Sequence, residues 1–369
     1  MTITLDQARR LPKVLLHDHL DGGVRVATVL ELADQIGWTL PTTDPDELQA
    51  WFTQGAETAD LLQYLATFEH TLAVMQTAEN VERIAHEAVV DLAADGVVYA
   101  EVRFAPELHQ QQGLTLEAVV EAVTTGFRRG EAAAAERGST IVVNAILCAM
   151  RTEARSIEIA QLVDRLRSWD DKVVAFDLAG AETGFEPSLH AEALAFARSA
   201  LLNITIHASE PPDLELISDA LAHGAHRIGH GVRLRSDTNL VDATDAASVR
   251  ATELTLGPLA QYVLDHQIHL EMAPTCNVQI GAVPSVAEHP IGPFLRAGFN
   301  VGYNTDNRLM SNVMPSSELH ALAAAHDLTM AEMERLATNA TMSSFAAMDI
   351  RRRIIAEQIA PGYPAAAVD

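Results

Sequence analysis

The run Val14–Leu16 leads into His17-Asp18-His19-Leu20-Asp21 near the start of a 369-residue chain. If the run is a strand, side chains two apart share a face, so His17 and His19 point together and Asp21 follows one step nearer the open end. Two imidazoles on adjacent rungs suit zinc, which takes nitrogen ligands at about 2.0–2.1 Å. One such pair arises readily by chance. Five other apolar runs also end in polar groups or glycine: Asp177-Leu178-Ala179-Gly180, His207-Ala208-Ser209-Glu210, Arg227-Ile228-Gly229-His230-Gly231, His269-Leu270-Glu271 and Asn304-Thr305-Asp306-Asn307. A lone buried histidine is usually a satisfied core residue, and a lone aspartate is often a helix cap. Ionisable groups converging from several strand ends are another matter, because burying them is costly without a metal or substrate.

The elements that must position these groups alternate along the chain. Apolar, β-branched runs predict strands at Val14–His19, Val97–Phe104, Ile141–Cys148, Val173–Leu178, Ile204–Ala208, Arg227–His230, Ile268–Met272 and Val301–Thr305. Amphipathic stretches between them include Val26–Ile36, Ala78–Ala94, Leu116–Glu136, Glu153–Ser168, Leu189–Leu201, Leu214–Ala222 and Leu254–Asp265. Continuous apolar strands alternating with helices indicate a parallel sheet covered on both faces. Eight such units predict an α/β fold, a closed (β/α)₈ TIM barrel forming one domain over 1–369. Insertions after a barrel strand lie over the C-terminal face, so the extra sequence Pro41–Met75, with LLQYLATF at 61–68, reads as a helical lid. The acidic stretch Arg233–Thr252 reads as a solvated excursion, and Ser316–Ile359 as helices closing the barrel.

Composition narrows the partner. Hydrophobic residues make up 48% of the chain, enough for a large core, while 50 acidic against 25 basic residues give a formal charge of -25. Such a surface repels polyphosphate, which argues against nucleic acid and anionic membranes and favours a neutral or cationic small molecule. Mean hydropathy is +0.08; no run approaches the roughly 20 apolar residues that span a bilayer. The start, MTITLDQARRLPK, shows no signal-peptide apolar region, so a soluble, cytoplasmic protein is expected. Cys148 and Cys276 make no disulfide framework and no CxxC motif.

Taken in order, PKVLLHDHLDGG, YAEVRFAPE, DLAGAE, TIHASE, RIGHG, LEMAPTCN and NTDN resemble the adenosine deaminase family of metal-dependent barrel hydrolases, over nearly the whole chain. The resemblance implies one zinc per chain held by His17, His19, His207 and Asp306, with water completing the site. It implies Glu210 as proton donor to the purine ring and His230 as the residue assisting the water. It implies substrate contacts from His19, Asp21, Gly180 and Asn307, and hence a purine nucleoside as the small-molecule partner. The chemistry agrees. Attack on C6 breaks aromaticity and pushes electrons toward N1, where a carboxylic acid kept neutral by a closed apolar pocket can deliver a proton. A binuclear centre on a carbamylated lysine is not expected, since Lys13 and Lys172, the only lysines, precede their strands.

Two positions depart from the family pattern. Ser209 stands where the family usually has glycine, before Pro211-Pro212. With every other motif intact, ordinary backbone angles are expected at 209, its side chain turned from the purine. Asn307 replaces a common second aspartate, and a neutral amide can donate to purine N7 at any pH. The alternatives are a deaminase of another 6-aminopurine, adenine or a modified adenosine, and a barrel that binds purine nucleosides without turnover. A nucleotide fits poorly, because carboxylate Asp21 would face its phosphate.

Overall fold

A computed structural model describes residues 3–58, 64, 66–242 and 254–366. Eight parallel strands alternate with helices: β1 (Lys13–His19), β2 (Val97–Phe104), β3 (Val142–Met150), β4 (Val173–Ala179), β5 (Thr205–Ala208), β6 (Arg227–His230), β7 (His269–Met272) and β8 (Val301–Tyr303). β1 to β4 pair in sequence order, as do β5 to β8. Single bridges close the ring, Phe176 with Ile204 between β4 and β5, and Asp18 with Asp306 between β1 and the chain just after β8. At that second seam the His19 N–H donates to Asp306 O at 2.7 Å, and the Asp306 N–H to His17 O at 3.0 Å. The expected TIM barrel is present.

The strands carry near-continuous burial, as a sheet covered on both faces requires. Their outward side chains join one hydrophobic core with the helices. Thr77 and Thr115 cap the N-termini of the helices Ala78–Ala94 and Leu116–Glu136 through their hydroxyls. These two helices pack closely, and a Cβ on Gly130 would sit 2.5 Å from that of Val89. Glycine is what lets the backbones approach. The helix Met330–Ser343 packs across β1, β7 and β8, so the C-terminal helices do close the barrel.

Inside the barrel the filling is ionic rather than the usual branched apolar layers. Arg103 on β2 bonds Asp177 on β4 at 2.8 Å and Glu271 on β7 at 2.6 Å, both fully buried. Arg227 on β6 holds Glu271 at 2.6 Å and Glu101 at 2.7 Å. Burial opposes ionisation of Glu271, yet Arg227 and Arg103 outweigh it and hold the carboxylate at about 2. The lysines lie at the far end, with Lys13 Nζ tied to the Ala8 and Leu11 carbonyls.

The sequence 41–75 contains the helices Pro45–Ala56 and Phe68–Val74. Residues 59–63 and 65, within the expected lid, lie outside the described residues. The stretch Arg233–Thr252 differs from expectation: Leu234 and Leu240 are fully buried, because short 3₁₀ turns fold it back onto the barrel. Positions 243–252 of that stretch lie outside the described residues. Among the described residues, no helix is long and apolar enough to cross a membrane.

Candidate active site

The C-terminal ends of the strands converge on a cavity of about 200 Å³. Its walls include His19, Asp21, Gly180, His207, Glu210, His230, Asp306 and Asn307, all singled out from sequence. His17 lies just beneath, fully buried, its ring centroid 4.5 Å from that of His207 and 4.7 Å from that of His230. Strand alternation places His17 and His19 on one face as expected, and the other groups arrive from the ends of β4, β5, β6 and β8.

Four side chains test whether a cation fits. His19 Nε2 lies 3.2 Å from His207 Nε2, and Asp306 Oδ1 lies 3.4 Å from both His17 Nε2 and His19 Nε2. Ligands about 2.0–2.1 Å from a tetrahedral ion are about 3.3–3.4 Å apart, so these spacings match the edges of such a polyhedron. The outer nitrogens are already committed. His17 Nδ1 is 3.0 Å from Glu271, and His207 Nδ1 is 3.1 Å from Asp177. Each carboxylate draws the ring proton to Nδ1, leaving an Nε2 lone pair aimed inward, as in metal-ligating histidines. Asp177 stays ionised, as this role requires, since His207 and Arg103 outweigh the effect of burial and hold it at about 2. His17 Nε2 is buried without a hydrogen-bond partner. Burial, then the nearby Arg103, pushes His17 well below the ordinary range, so it is a neutral donor. The residues fit a single tetrahedral zinc.

Glu210 and His230 face each other beside this cluster, with His230 Nε2 3.3 Å from Glu210 Oε1. Burial, and then the nearby carboxylates of Glu182 and Asp306, push Glu210 well above the ordinary carboxylate range. Both effects favour the protonated carboxylic acid over the carboxylate. Glu182, fully buried, accepts from the Ser209 N–H at 2.6 Å and the Glu210 N–H at 3.2 Å. Ser209 has φ 75, in the left-handed region, which overturns the expectation of ordinary angles there. A serine in that region carries strain of about 1 kcal/mol or more, and its buried hydroxyl has no partner. His230 at φ 59 and Asp306 at φ 57 share the conformation.

The opposite wall is apolar on one side and unsatisfied on the other. Tyr64, Phe68 and Leu72 from the insertion line it, with Leu108, Cys148 and Met150. Asp21 Oδ1 is buried without a partner, the pattern expected where a polar ligand binds, and the Tyr64 hydroxyl lies beside Ser311 and Asn307. Burial raises Asp21 to about 6. Gly180, at φ 94, also lines the cavity.

Sequence reasoning gave no role to Glu182, Asn277, Tyr64 or the carboxylates behind the histidines. Asp177 and Glu271 were visible as strand-end acids, but their partners lie on other strands. Glu182 and Asn277 stand inside the stretches DLAGAE and LEMAPTCN, in segments where strand alternation no longer applies. Nothing local marks His289.

This donor set, at the C-terminal mouth of a closed (β/α)₈ barrel, defines a barrel hydrolase. The adenosine deaminase family model matches residues 12–361. The chain is 49% identical to adenosine deaminase 1 of Streptomyces coelicolor over 97% of its length and 88% of that protein's. It is likewise 49% identical to the adenosine deaminase of Mycolicibacterium vanbaalenii, covering 98% of both chains. Among solved structures it resembles an adenine deaminase from Arthrobacter aurescens, at 25% identity and TM-score 0.79, over 97% of this chain and 100% of that one. The chain belongs to the adenosine deaminase family, hydrolases of a C–N bond in a cyclic amidine.

Proposed function

We propose that the chain hydrolyses adenosine, and 2′-deoxyadenosine, to the corresponding inosine and ammonia, as a cytoplasmic enzyme of purine salvage. The observation that carries this reading is a buried Glu210, favoured in its protonated form, beside the histidine cluster His17, His19 and His207 and the Asp306 carboxylate that lies 3.4 Å from two of them. His17, His19, His207 and Asp306 would hold one zinc. When bound, zinc supplies Lewis-acid polarisation and brings a water's pKa toward about 7.

The chain's own residues do the rest. The oxygen of water bonds to C6 while the proton on Glu210 moves to N1. The C6–N6 bond then breaks: one of the water's two protons leaves with the amine as ammonia, the other returns to Glu210, and the oxygen stays on C6 as the carbonyl of inosine. His230, across from Glu210, faces the attacking oxygen. Asn307 donates to the purine edge through its amide, and Asp21 Oδ1, buried without a partner, accepts from a ribose hydroxyl. Gly180 has no side chain to keep the planar base from its backbone. The insertion 41–75 acts as a lid, with Tyr64, Phe68 and Leu72 keeping water from the base.

Steady-state absorbance assays with adenosine, 2′-deoxyadenosine, adenine and AMP test the reading, alongside elemental analysis of the purified protein. The expected result is turnover of the two nucleosides and one zinc per chain. Preference for adenine would point to a free-base deaminase, and binding without turnover of any purine would show a non-catalytic barrel. Two metals per chain would overturn the mononuclear assignment.

A further inference from the structure

His230 is fully buried, and so are two side chains that connect it to the backbone, Asn277 and His289. Asn277 belongs to the short helix Pro274–Gln279 that follows β7. With no solvent to rearrange the protons, the direction of each hydrogen bond is set by the fixed donors at the end of the chain.

A backbone N–H can only donate. The Ile291 N–H lies 3.2 Å from His289 Nδ1, so that nitrogen accepts, and neutral His289 carries its proton on Nε2. His289 Nε2 is 3.1 Å from Asn277 Oδ1, and the Ala273 N–H points at the same oxygen from 3.4 Å. Both neighbours of Oδ1 are donors, which fixes the orientation of the amide. Asn277 therefore turns its NH₂ toward His230 Nδ1, 3.1 Å away. A ring nitrogen that accepts a hydrogen bond holds no proton, so neutral His230 carries its proton on Nε2, the atom beside Glu210.

We propose that Asn277 and His289 are positioning residues that lock His230 in the Nε2–H tautomer, so that it meets the attacking oxygen as a hydrogen-bond donor and not as a proton acceptor. The inference rests on the deaminase reading for its consequence, though not for the tautomer. A donor aimed at an oxygen that gains negative charge typically contributes about 10²–10³-fold to kcat. A bare Nε2 would contribute instead as a base.

Two-bond proton–nitrogen NMR correlations of histidine-labelled wild-type protein read the tautomer directly, with His230→Gln used to assign the signal. A protonated Nε2 is expected, and a protonated Nδ1 would overturn the proposal. Kinetics then separate the two roles. Asn277→Asp offers only acceptors, drawing the His230 proton to Nδ1, whereas Asn277→Ala leaves both tautomers accessible. The expected order of kcat is wild type, then Asn277→Ala, then Asn277→Asp, the last down by about 10²-fold or more with KM within about threefold. Wrong-tautomer variants of other His-dependent enzymes lose up to about 10⁴-fold. If Asn277→Asp matched or exceeded Asn277→Ala while the same NMR showed His230 Nε2 without a proton, His230 would be acting as a base and the proposal would be lost. Should Asn277→Asp not fold, His289→Met, which removes the donor to Asn277, carries the test and should lower kcat more than it raises KM. Wild-type protein that turns over no purine would defeat the functional reading, while the NMR result would still decide the tautomer.

Discussion

The two halves of the barrel are built differently. β1 to β4 run 7, 8, 9 and 7 residues, whereas β5 to β8 run 4, 4, 4 and 3. The long-stranded half presents His17, His19 and Asp21 from one strand and its extension, and among its pocket residues only a glycine, Gly180, has positive φ. The short-stranded half delivers His207, Glu210, His230 and Asp306, and three of its residues there, Ser209, His230 and Asp306, sit in the left-handed region. Ending a strand early lets the backbone turn and aim a side chain across the mouth, at a cost of order 1–3 kcal/mol per strained residue. The long-stranded half offsets part of that cost. The Asp306 backbone is held by His17 and His19, and the Ser209 N–H by Glu182 beyond β4. Both halves bring polar groups to the mouth, but only the short-stranded half does so from left-handed backbone, which the long-stranded half helps to hold.

Glu210→Gln puts the strained half to its hardest test. The amide keeps the shape but has no acidic proton for N1, so kcat should fall by about 10²–10⁴-fold, the usual worth of a general acid. Zinc content should stay at one per chain. Near-normal kcat would remove Glu210 from its role and leave the left-handed turn at 209 without a purpose.

Arg103 tests the tie between the halves. It is fully buried and bridges Asp177 in the first half to Glu271 in the second. Arg103→Met keeps most of the volume but leaves two buried carboxylates short of a partner, which costs about 3–5 kcal/mol when a buried pair is broken. Chemical denaturation of the two proteins measures the loss. A difference under about 1 kcal/mol would mean that Arg227 alone suffices and that the halves are coupled elsewhere.

Ser209→Gly should have the smallest effect and the opposite sign. Glycine removes the left-handed strain and an unsatisfied hydroxyl, and loses some ground to a more flexible unfolded chain. A net gain of roughly 0.5–1 kcal/mol in stability is expected from these opposing contributions, read as a raised melting temperature. Tighter Glu210 placement could add up to about tenfold in kcat/KM, equivalent to about 1.4 kcal/mol. A clear loss of adenosine turnover would instead show that the hydroxyl touches substrate or water.

The strands are legible from sequence, and Val97–Phe104 and Arg227–His230 agree residue for residue, because a strand buried on both faces writes a continuous apolar run. The helices Val26–Ile36, Ala78–Ala94 and Leu116–Glu136 are equally plain from their amphipathic period. The stretch after Arg233 defeats such a reading because its charged residues hide two buried ones, Leu234 and Leu240, that follow no regular period.

Strand period and strand-end chemistry are local properties, so the amino-acid order alone announces the eight-unit barrel and the polar groups at its strand ends, though not the apolar wall that Tyr64, Phe68 and Leu72 add. It also announces the departure at Ser209, though not the backbone angle there. Which groups meet is decided by the folded ring. His17 is paired with Glu271, 254 positions away, and Thr305 with Asp18, 287 away. The proton direction from Ile291 to His230 is decided there too. Such pairings exist only once the ring closes, because closure sets which strand faces which across the barrel, and no local pattern records what lies on the other side.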